Sequence, residues 1–270
     1  RVERMDKYRT ALSMGILSSM EYRFDFFIGF IGMIFPIVIQ VFLWLAVYGG
    51  TGDEEMYGYN FSQMIAYVVI ASLVGRVVNT GVENTINNDI HSGGLAKYLV
   101  KPIGYIPFRM INTFGTKLFS LGVLVVFAVA TITVLHLTIG FTLALEHLLL
   151  FIPALLLGLA LNFFVFFIVS MMAFWLTEVG AFFMTIQVII MVLSGGVFPI
   201  TVLGDGFVSV MSWLPFIYTT YFPIRVLTGA ETLQNILFGL GIQILWIAIL
   251  SVVSVALWRR GVRRYVAVGG

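Results

Sequence analysis

The stretch DIHSGGLAKYLVKPIGYIPFR, residues 89–109, is the longest polar interruption in a chain that is otherwise almost entirely apolar. It contains two adjacent glycines, Gly93 and Gly94, and two prolines. Glycine commonly ends a helix by adopting a left-handed conformation, and proline stops the helix that precedes it. The stretch therefore predicts a helix that ends, a sharp break, a short second helix and a return to the next apolar segment.

The chain around this stretch has the composition of a membrane protein. Of its 270 residues, 60% are hydrophobic and 10% are charged, whereas about 25% of a soluble domain is charged. A soluble core of this size could not bury so much apolar surface, so much of it must face lipid. The absence of cysteine excludes disulfides and thiolate metal sites, and the three histidines are scattered. The net charge of +2 is too small to indicate a nucleic-acid partner.

Six apolar stretches are predicted to cross the bilayer, because a spanning helix needs about 20 mainly apolar residues. The second stretch reaches that length only by including Arg76, which either snorkels to lipid phosphate or contacts an anionic substrate or partner helix. A seventh uncharged stretch, 206–224, is interrupted by Pro215 and Pro223. The six predicted spans are residues 26–48, 61–82, 110–135, 148–176, 179–203 and 233–258.

The positions of lysine and arginine predict the topology, since short cytoplasmic loops are enriched in them. Six spans place 13 of the 15 basic residues on the cytoplasmic side, with residues 83–109 as a cytoplasmic loop and both termini cytoplasmic. Seven spans would place the four C-terminal arginines outside. Residues 204–232 are therefore predicted to form an outer re-entrant segment, which is tolerated at membrane depth only if protein or water covers it.

Residues 1–25 are predicted to form an amphipathic helix. Apolar residues recur at helical spacing from Met5 to Met20, with Arg4 and Lys7 off that line. Such a helix would lie in the inner headgroup layer, or alternatively would prolong the first span into the cytoplasm. The predicted fold class is thus an all-α integral membrane protein with six transmembrane helices, an N-terminal interfacial helix and an outer re-entrant segment before the last helix.

The sequence contains no motif for catalysis or nucleotide binding. There is no G-x-x-x-x-G-K-[ST] P-loop, no H-E-x-x-H and no G-x-S-x-G. No pair of acids lies within a predicted span and no internal repeat is visible, which argues against a proton-coupled carrier. The chain is therefore predicted to be no enzyme.

The loop carries a second pattern, in LAKYLV (95–100). Leu95, Tyr98 and Leu99 fall on one side of the predicted short helix, and an exposed apolar stripe of this kind fits a groove in another protein. Glu178 lies in the tight turn between the fourth and fifth spans, where it is either solvated or in contact with a cytoplasmic partner.

The segment IHSGGLAKYLVKPIGY (90–105) resembles the first cytoplasmic loop of ABC-2-type permeases, the membrane subunits of one class of ATP-binding-cassette exporter. LSGGVFPITVL (193–203) and LPFIYTTYFPIRVLTG (214–229) are similar to the end of the fifth span and the outer re-entrant segment of that family. The motifs also occur in the family's order, and the resemblance covers essentially the whole chain. It is strongest to the bacterial subgroup whose ATPase is a separate chain.

The resemblance implies a permease subunit of the bacterial plasma membrane that exports an amphipathic substrate. Its partners would be ATPase subunits and a second permease chain, identical or homologous. ATP and Mg²⁺ would bind the ATPase, with no cofactor in this chain. The residues expected to contact the ATPase are Asp89, Ile90, Gly93, Gly94, Leu95, Tyr98, Leu99, Lys101, Pro102 and Glu178.

The same resemblance implies a substrate path lined mainly by the second and fifth spans. The polar candidates there are Ser72, Arg76, Asn79, Thr185 and Gln187, although helix packing alone would equally explain them. Two other classes remain open: an ATP-independent carrier or channel, and a membrane assembly or anchor protein.

Overall fold

The regular elements of the described chain are all helices. The computed structural model describes residues 2–21, 23–49, 55–100, 103–140 and 144–265, and within these ranges the only strand-like pairing is one isolated bridge between Met56 and Tyr59. The all-α fold class is thus confirmed. The α-helices are α1 (Val2–Glu21), α2 (Arg23–Tyr48), α3 (Phe61–Val78), α4 (Val82–His91), α5 (Ala96–Leu99), α6 (Tyr105–Ile139), α7 (Leu145–Ser170), α8 (Gly180–Leu193), α9 (Asp205–Met211), α10 (Tyr221–Leu227) and α11 (Leu233–Val262), and short 3-10 turns cover Met171–Phe174, Ile200–Leu203 and Phe216–Tyr218.

Four helical stretches of the described chain are long and apolar enough to cross a membrane, and two shorter apolar helices accompany them. All six fall within or overlap the predicted spans. Six as the number of crossings stays a prediction, because the 14-residue α8 is about 21 Å long against a hydrocarbon core of about 30 Å. The long stretches are Ile31–Tyr48, Phe61–His91, Leu145–Phe174 and Leu233–Val262, and the shorter helices are Val125–Leu137 and Gly180–Leu193.

The helix in the predicted span 179–203 ends at Leu193, ten residues early. Gly195 follows with φ +72°, a left-handed conformation that glycine adopts without steric cost. The Gly195 carbonyl accepts a hydrogen bond from the buried Tyr67 hydroxyl of α3 at 2.7 Å. The end of α8 is therefore held by α3, and residues 200–203 form a separate turn.

The outer segment packs between α7 and α11. A Cβ on Gly158 of α7 would lie 2.7 Å from the Thr219 carbonyl oxygen, so the two backbones approach closely. Gln243 of α11 donates through Nε2 to the carbonyls of Ala154 in α7 and Tyr218 in the segment, at 2.9 and 2.8 Å. A side chain of one helix thus binds the backbone of two other elements.

Residues 204–232 fold as two short helices with a break between them at Pro215. Nearly every side chain from 217 to 227 is buried, whereas most of 204–213 is exposed, and the re-entrant placement stays a prediction. Arg225 Nε donates to Glu231 Oε1 at 2.6 Å, and this acid neutralises a basic residue that the predicted topology places on the outer side.

α1 packs against α6 through small residues. A Cβ on Gly15 would lie 2.3 Å from the Asn112 carbonyl oxygen, and Ser19 Oγ donates to the Thr116 carbonyl at 2.9 Å. Among the side chains described in this helix, Ala11 and Gly15 are buried, so this part of the contact follows small residues four apart. The position of α1 in the headgroup layer stays a prediction.

Candidate functional site

The loop predicted from the opening stretch has the expected helix, break and short helix. α4 ends at His91, and Gly93 adopts φ +74°. The chain then reverses so that the Leu95 N–H donates to the Asp89 carbonyl at 2.7 Å, and the four-residue α5 follows. Lys101 and Pro102, two of the predicted ATPase contacts, lie outside the described residues.

A buried ion pair holds this loop on the helices. Arg109 Nη2 of α6 donates to Asp89 Oδ2 of α4, and the two side chains are 8% and 10% exposed. The Tyr105 hydroxyl donates to the same carboxylate oxygen at 2.5 Å, and the guanidinium carbon lies 5.0 Å from the centre of the Tyr98 ring. Trp258 of α11 stacks on Tyr105 at 4.5 Å. The loop is therefore fixed to the first turns of α6 and to the end of α11.

The titration of this cluster follows from its burial. Burial raises the pKa of the Tyr105 phenol above its ordinary value. Tyr105 is consequently a neutral hydrogen-bond donor to Asp89 across the physiological pH range, and it supports the ion pair rather than competing with it.

The prediction that Leu95, Tyr98 and Leu99 form one exposed stripe is wrong. Leu95 is 0% exposed and packs in a core cluster that includes Ile86 and Phe163, because the turn at Gly93 folds α5 back onto α4 and α7. Tyr98 is half-buried over Arg109. The exposed apolar residues of the loop are Leu99, 44% exposed, and Val100, 84% exposed.

The predicted contacts Asp89 and Ile90 are buried as well, at 8% and 6% exposure. Asp89 binds Arg109, and Ile90 packs in the same core cluster as Leu95. Gly94 is half-buried, and a Cβ there would lie 3.6 Å from the Asp89 Cα. These residues shape the loop from inside, so they reach another protein only through the residues that they position.

A second turn, distant in sequence, joins the loop. His91 Nε2 lies 3.2 Å from the Leu176 carbonyl oxygen, in the turn between α7 and α8. Trp175, Leu176 and Glu178 of that turn are exposed. We use the name loop surface for the exposed residues of both segments: His91, Ser92, Lys97, Leu99, Val100, Trp175, Leu176, Thr177 and Glu178.

Sequence reasoning named only part of the loop surface. It missed His91, Val100, Trp175 and Leu176 as exposed partners of Leu99 and Glu178. Trp175 and Leu176 end an apolar run, and nothing in the sequence distinguishes them from the residues of the predicted span. The contact between the two turns could therefore not be predicted from the sequence.

A cleft of about 710 Å³ lies among α2, α3, α7 and α8, a size in the range of ligand-binding pockets. Ser72, Arg76 and Asn79 line it from α3 and its C-terminal end, and Gln187 lines it from α8, whereas their role in a substrate path stays a prediction. Thr185 is not among the lining residues; its hydroxyl donates to the Ala181 carbonyl of its own helix at 2.9 Å.

The walls of the cleft are mainly apolar, and several polar side chains interrupt them. Sequence reasoning missed eight polar lining residues: Gln40, Thr80, Glu83, Asn84, Lys117, Asn162, Ser194 and Thr220. Gln40 Oε1 and Glu83 Oε2 are buried and have no hydrogen-bond partner within the described part of the chain. A cleft with apolar walls and a few unsatisfied acceptors can accommodate an amphipathic molecule.

The Arg76 guanidinium lies close to α2. A Cβ on Gly29 of α2 would lie 2.0 Å from Arg76 Nη2, so the side chain reaches across to the neighbouring helix at a residue without a side chain. Arg76 therefore lies against a neighbouring helix, and snorkelling to lipid phosphate stays a prediction.

These features define a class of protein. An all-α chain with several membrane-spanning helices, a cleft between them and an exposed two-segment surface beside that cleft is organised as a membrane transport protein. A family model described as "ABC-2 family transporter protein" matches residues 34–269, and the chain belongs to this family. It is a multi-pass membrane permease of the ABC-2 type and not itself an enzyme. No curated protein and no solved structure matches the chain.

Proposed function

We propose that this chain is the membrane-spanning subunit of an ATP-binding-cassette exporter whose ATP is hydrolysed by a separate chain. ABC-2 permeases generally work with ATPase subunits, and the sequence of this chain has no P-loop of its own. ATP and Mg²⁺ then belong to the partner, and a second permease chain, identical or homologous, completes the transporter. The bacterial plasma membrane, with both termini cytoplasmic, is its proposed location.

The observation that carries the proposal is the convergence of two distant segments on the loop surface. Leu99 and Val100 are exposed in a loop that an internal ion pair holds in place, and Trp175 and Leu176 stand exposed in the adjoining turn. Exposed apolar residues that are positioned by a rigid base are typical of protein-docking surfaces. Lys97 and Glu178 supply both signs of charge at its edge.

The cleft is the proposed path of an amphipathic substrate. Its apolar walls suit a hydrophobic tail, and the polar side chains of Ser72, Gln187 and Asn162 suit a head group. α4 contributes Glu83 and Asn84 to the cleft and ends at His91 of the loop surface, so it connects that surface to the cleft.

Docking is tested by Leu99→Asp with Val100→Asp, which places two charges on the loop surface without disturbing a buried residue. Loss of an interfacial apolar contact typically costs 1–2 kcal/mol or more, so co-purification of a P-loop ATPase in mild detergent should fall by about tenfold or more. Tyr57→Asp is the matched control, since Tyr57 is 45% exposed in the loop between α2 and α3. Its φ of +58° is one that aspartate tolerates.

Mass spectrometry of the purified complex decides between the remaining functions. An ATPase at equal stoichiometry with permease chains, lost in the double variant and kept in the control, supports the proposal. A chain that purifies without any nucleotide-binding partner favours an ATP-independent carrier or channel. Unchanged ATPase association in the double variant contradicts docking at the loop surface.

A further inference from the structure

The second predicted span is broken where its sequence permits a continuous helix. Residues 61–91 form one apolar helical stretch, but α3 ends at Val78 and α4 begins at Val82. No proline lies in this stretch. Gly81 adopts φ +62°, which glycine permits without requiring. Asn79, Thr80 and Gly81 weaken the helix locally, and side chains of neighbouring helices bind the backbone at the break.

Two side chains from other helices occupy both ends of one missing helical hydrogen bond. In a continuous helix the Thr80 N–H would donate to the Arg76 carbonyl, four residues earlier. Here Asn162 Oδ1 of α7 accepts from the Thr80 N–H at 3.3 Å. Lys117 Nζ of α6 donates to the Arg76 carbonyl at 3.0 Å. The donor and the acceptor of that bond thus each have a substitute partner.

Two further backbone groups at the break have side-chain partners. Lys117 Nζ also donates to the Asn79 carbonyl, which in a continuous helix would accept from the Glu83 N–H. The Gly81 N–H donates to Asn79 Oδ1 at 3.2 Å. Irregular backbone at membrane depth requires such partners, because unpaired groups there are costly. Four backbone groups that a continuous helix would bond internally, the Thr80 and Gly81 N–H groups and the Arg76 and Asn79 carbonyls, bond to side chains here.

The break lies between the cleft and the loop surface. Asn79, Thr80 and Gly81 line the cleft, and so do Lys117 and Asn162. On the other side, α4 runs directly to the turn at Gly93 and to the ion pair of Asp89. A change between a broken and a continuous helix would move α4 and the cleft wall together.

We propose that Lys117 and Asn162 are positioning residues that hold the second span in its broken conformation, in equilibrium with a continuous helix over residues 61–91. This equilibrium carries movement from the loop surface to the cleft. The role in transport rests on the proposed function, whereas the equilibrium itself belongs to this chain alone.

The equilibrium is measured on the permease without any partner. The chain has no cysteine, so Ser62→Cys and Asn88→Cys accept two spin labels for a distance measurement in lipid nanodiscs. In a continuous helix these two positions, 26 residues apart, are separated by about 39 Å along the axis. The broken wild-type helix is expected to give a different main distance, and Lys117→Met is expected to move the population toward the continuous value.

A glycine pair supplies a second test that removes no buried polar group. Gly81→Ala disfavours the left-handed break and should shift the population ratio by about tenfold. Gly75→Ala is the control, because Gly75 lies inside α3 and an added Cβ would have no atom within 4 Å. Lys117→Arg, which keeps a cation at this place, should retain much of the broken state. A main distance of about 39 Å between the labels in the wild type would overturn the proposal. So would a wild-type distance distribution in all four variants. If Lys117→Met does not fold, the comparison of Gly81→Ala with Gly75→Ala decides the question.

Transport measurements separate this inference from the proposed function. The Lys117→Met permease is expected to bind the ATPase partner as the wild type does, and the partner is expected to hydrolyse ATP in the complex. The amount of substrate transported per ATP should fall about tenfold or more. Full transport by a variant whose helix is continuous contradicts the positioning role. Absence of any ATPase partner contradicts the proposed function. The helix equilibrium is then still tested by the distance measurement, which needs no partner.

Discussion

Arg109→Met tests whether one buried ion pair holds the loop surface in place. Removing the guanidinium leaves the Asp89 carboxylate about nine-tenths buried, with the Tyr105 hydroxyl at 2.5 Å still donating to it. Breaking a buried pair by removing one partner costs about 3–5 kcal/mol. The retained Tyr105 bond places the expected cost near about 3 kcal/mol, or about 150-fold in the equilibrium between closed and open loop.

The assay is the rate of tryptic cleavage after Lys97 in membranes that expose this loop. Lys97 lies within α5, and a protease needs that short helix to open before it cuts. When the loop recloses faster than it is cut, the cleavage rate tracks the population of the open form. Arg109→Met should therefore raise the rate by up to about 150-fold.

Two further variants make the result interpretable. Arg259→Met removes an exposed arginine from the end of α11 and should change the rate by no more than about twofold. Asp89→Asn combined with Arg109→Met leaves no buried charge and should recover much of the protection. A rise below about fivefold in Arg109→Met, or a double variant as labile as the single one, would refute the role given to the pair.

Two other predictions concern the packing of the helices. Gly15→Ala places a Cβ 2.3 Å from the backbone oxygen of Asn112 and should cost about 1–3 kcal/mol, seen as a lower melting temperature in detergent. Gly32→Ala, which meets no atom within 4 Å, should not lower it, and equal effects would contradict the close contact of α1 and α6. Tyr67→Phe removes the hydroxyl bound to the Gly195 carbonyl and should cost about 1–2 kcal/mol in the same assay; an unchanged melting temperature would show that this bond does not hold the end of α8.

Periodic and punctuating residues made part of this fold predictable. The apolar stretches became helices, Gly93 ended α4, and the outer segment broke at Pro215, because each of these signals acts on the local backbone. The early end of α8 was missed, although the pair Gly195–Gly196 was visible in the sequence. The run of apolar residues that continues to Leu203 concealed the interruption.

The candidate site was less predictable than the fold. A helix of four residues has too few turns to define an apolar face, so the burial of Leu95 could not be read from its spacing. Four of the five polar residues proposed for the path do line the cleft. Lys117, by contrast, was counted only as a basic residue near the inner membrane surface, and nothing in its local sequence indicated that its ammonium binds the backbone of α3.

Composition and the order of apolar and polar segments determined, by themselves, that this chain is an all-α protein of several membrane-spanning helices. Those properties depend on the transfer of side chains into lipid and on backbone bonds within each helix, which are local. Only the tertiary structure decided which loop residues are exposed and where the second span breaks. The partners that decide these points are remote, since Lys117 is 41 residues from Arg76 and Asn162 is 82 residues from Thr80.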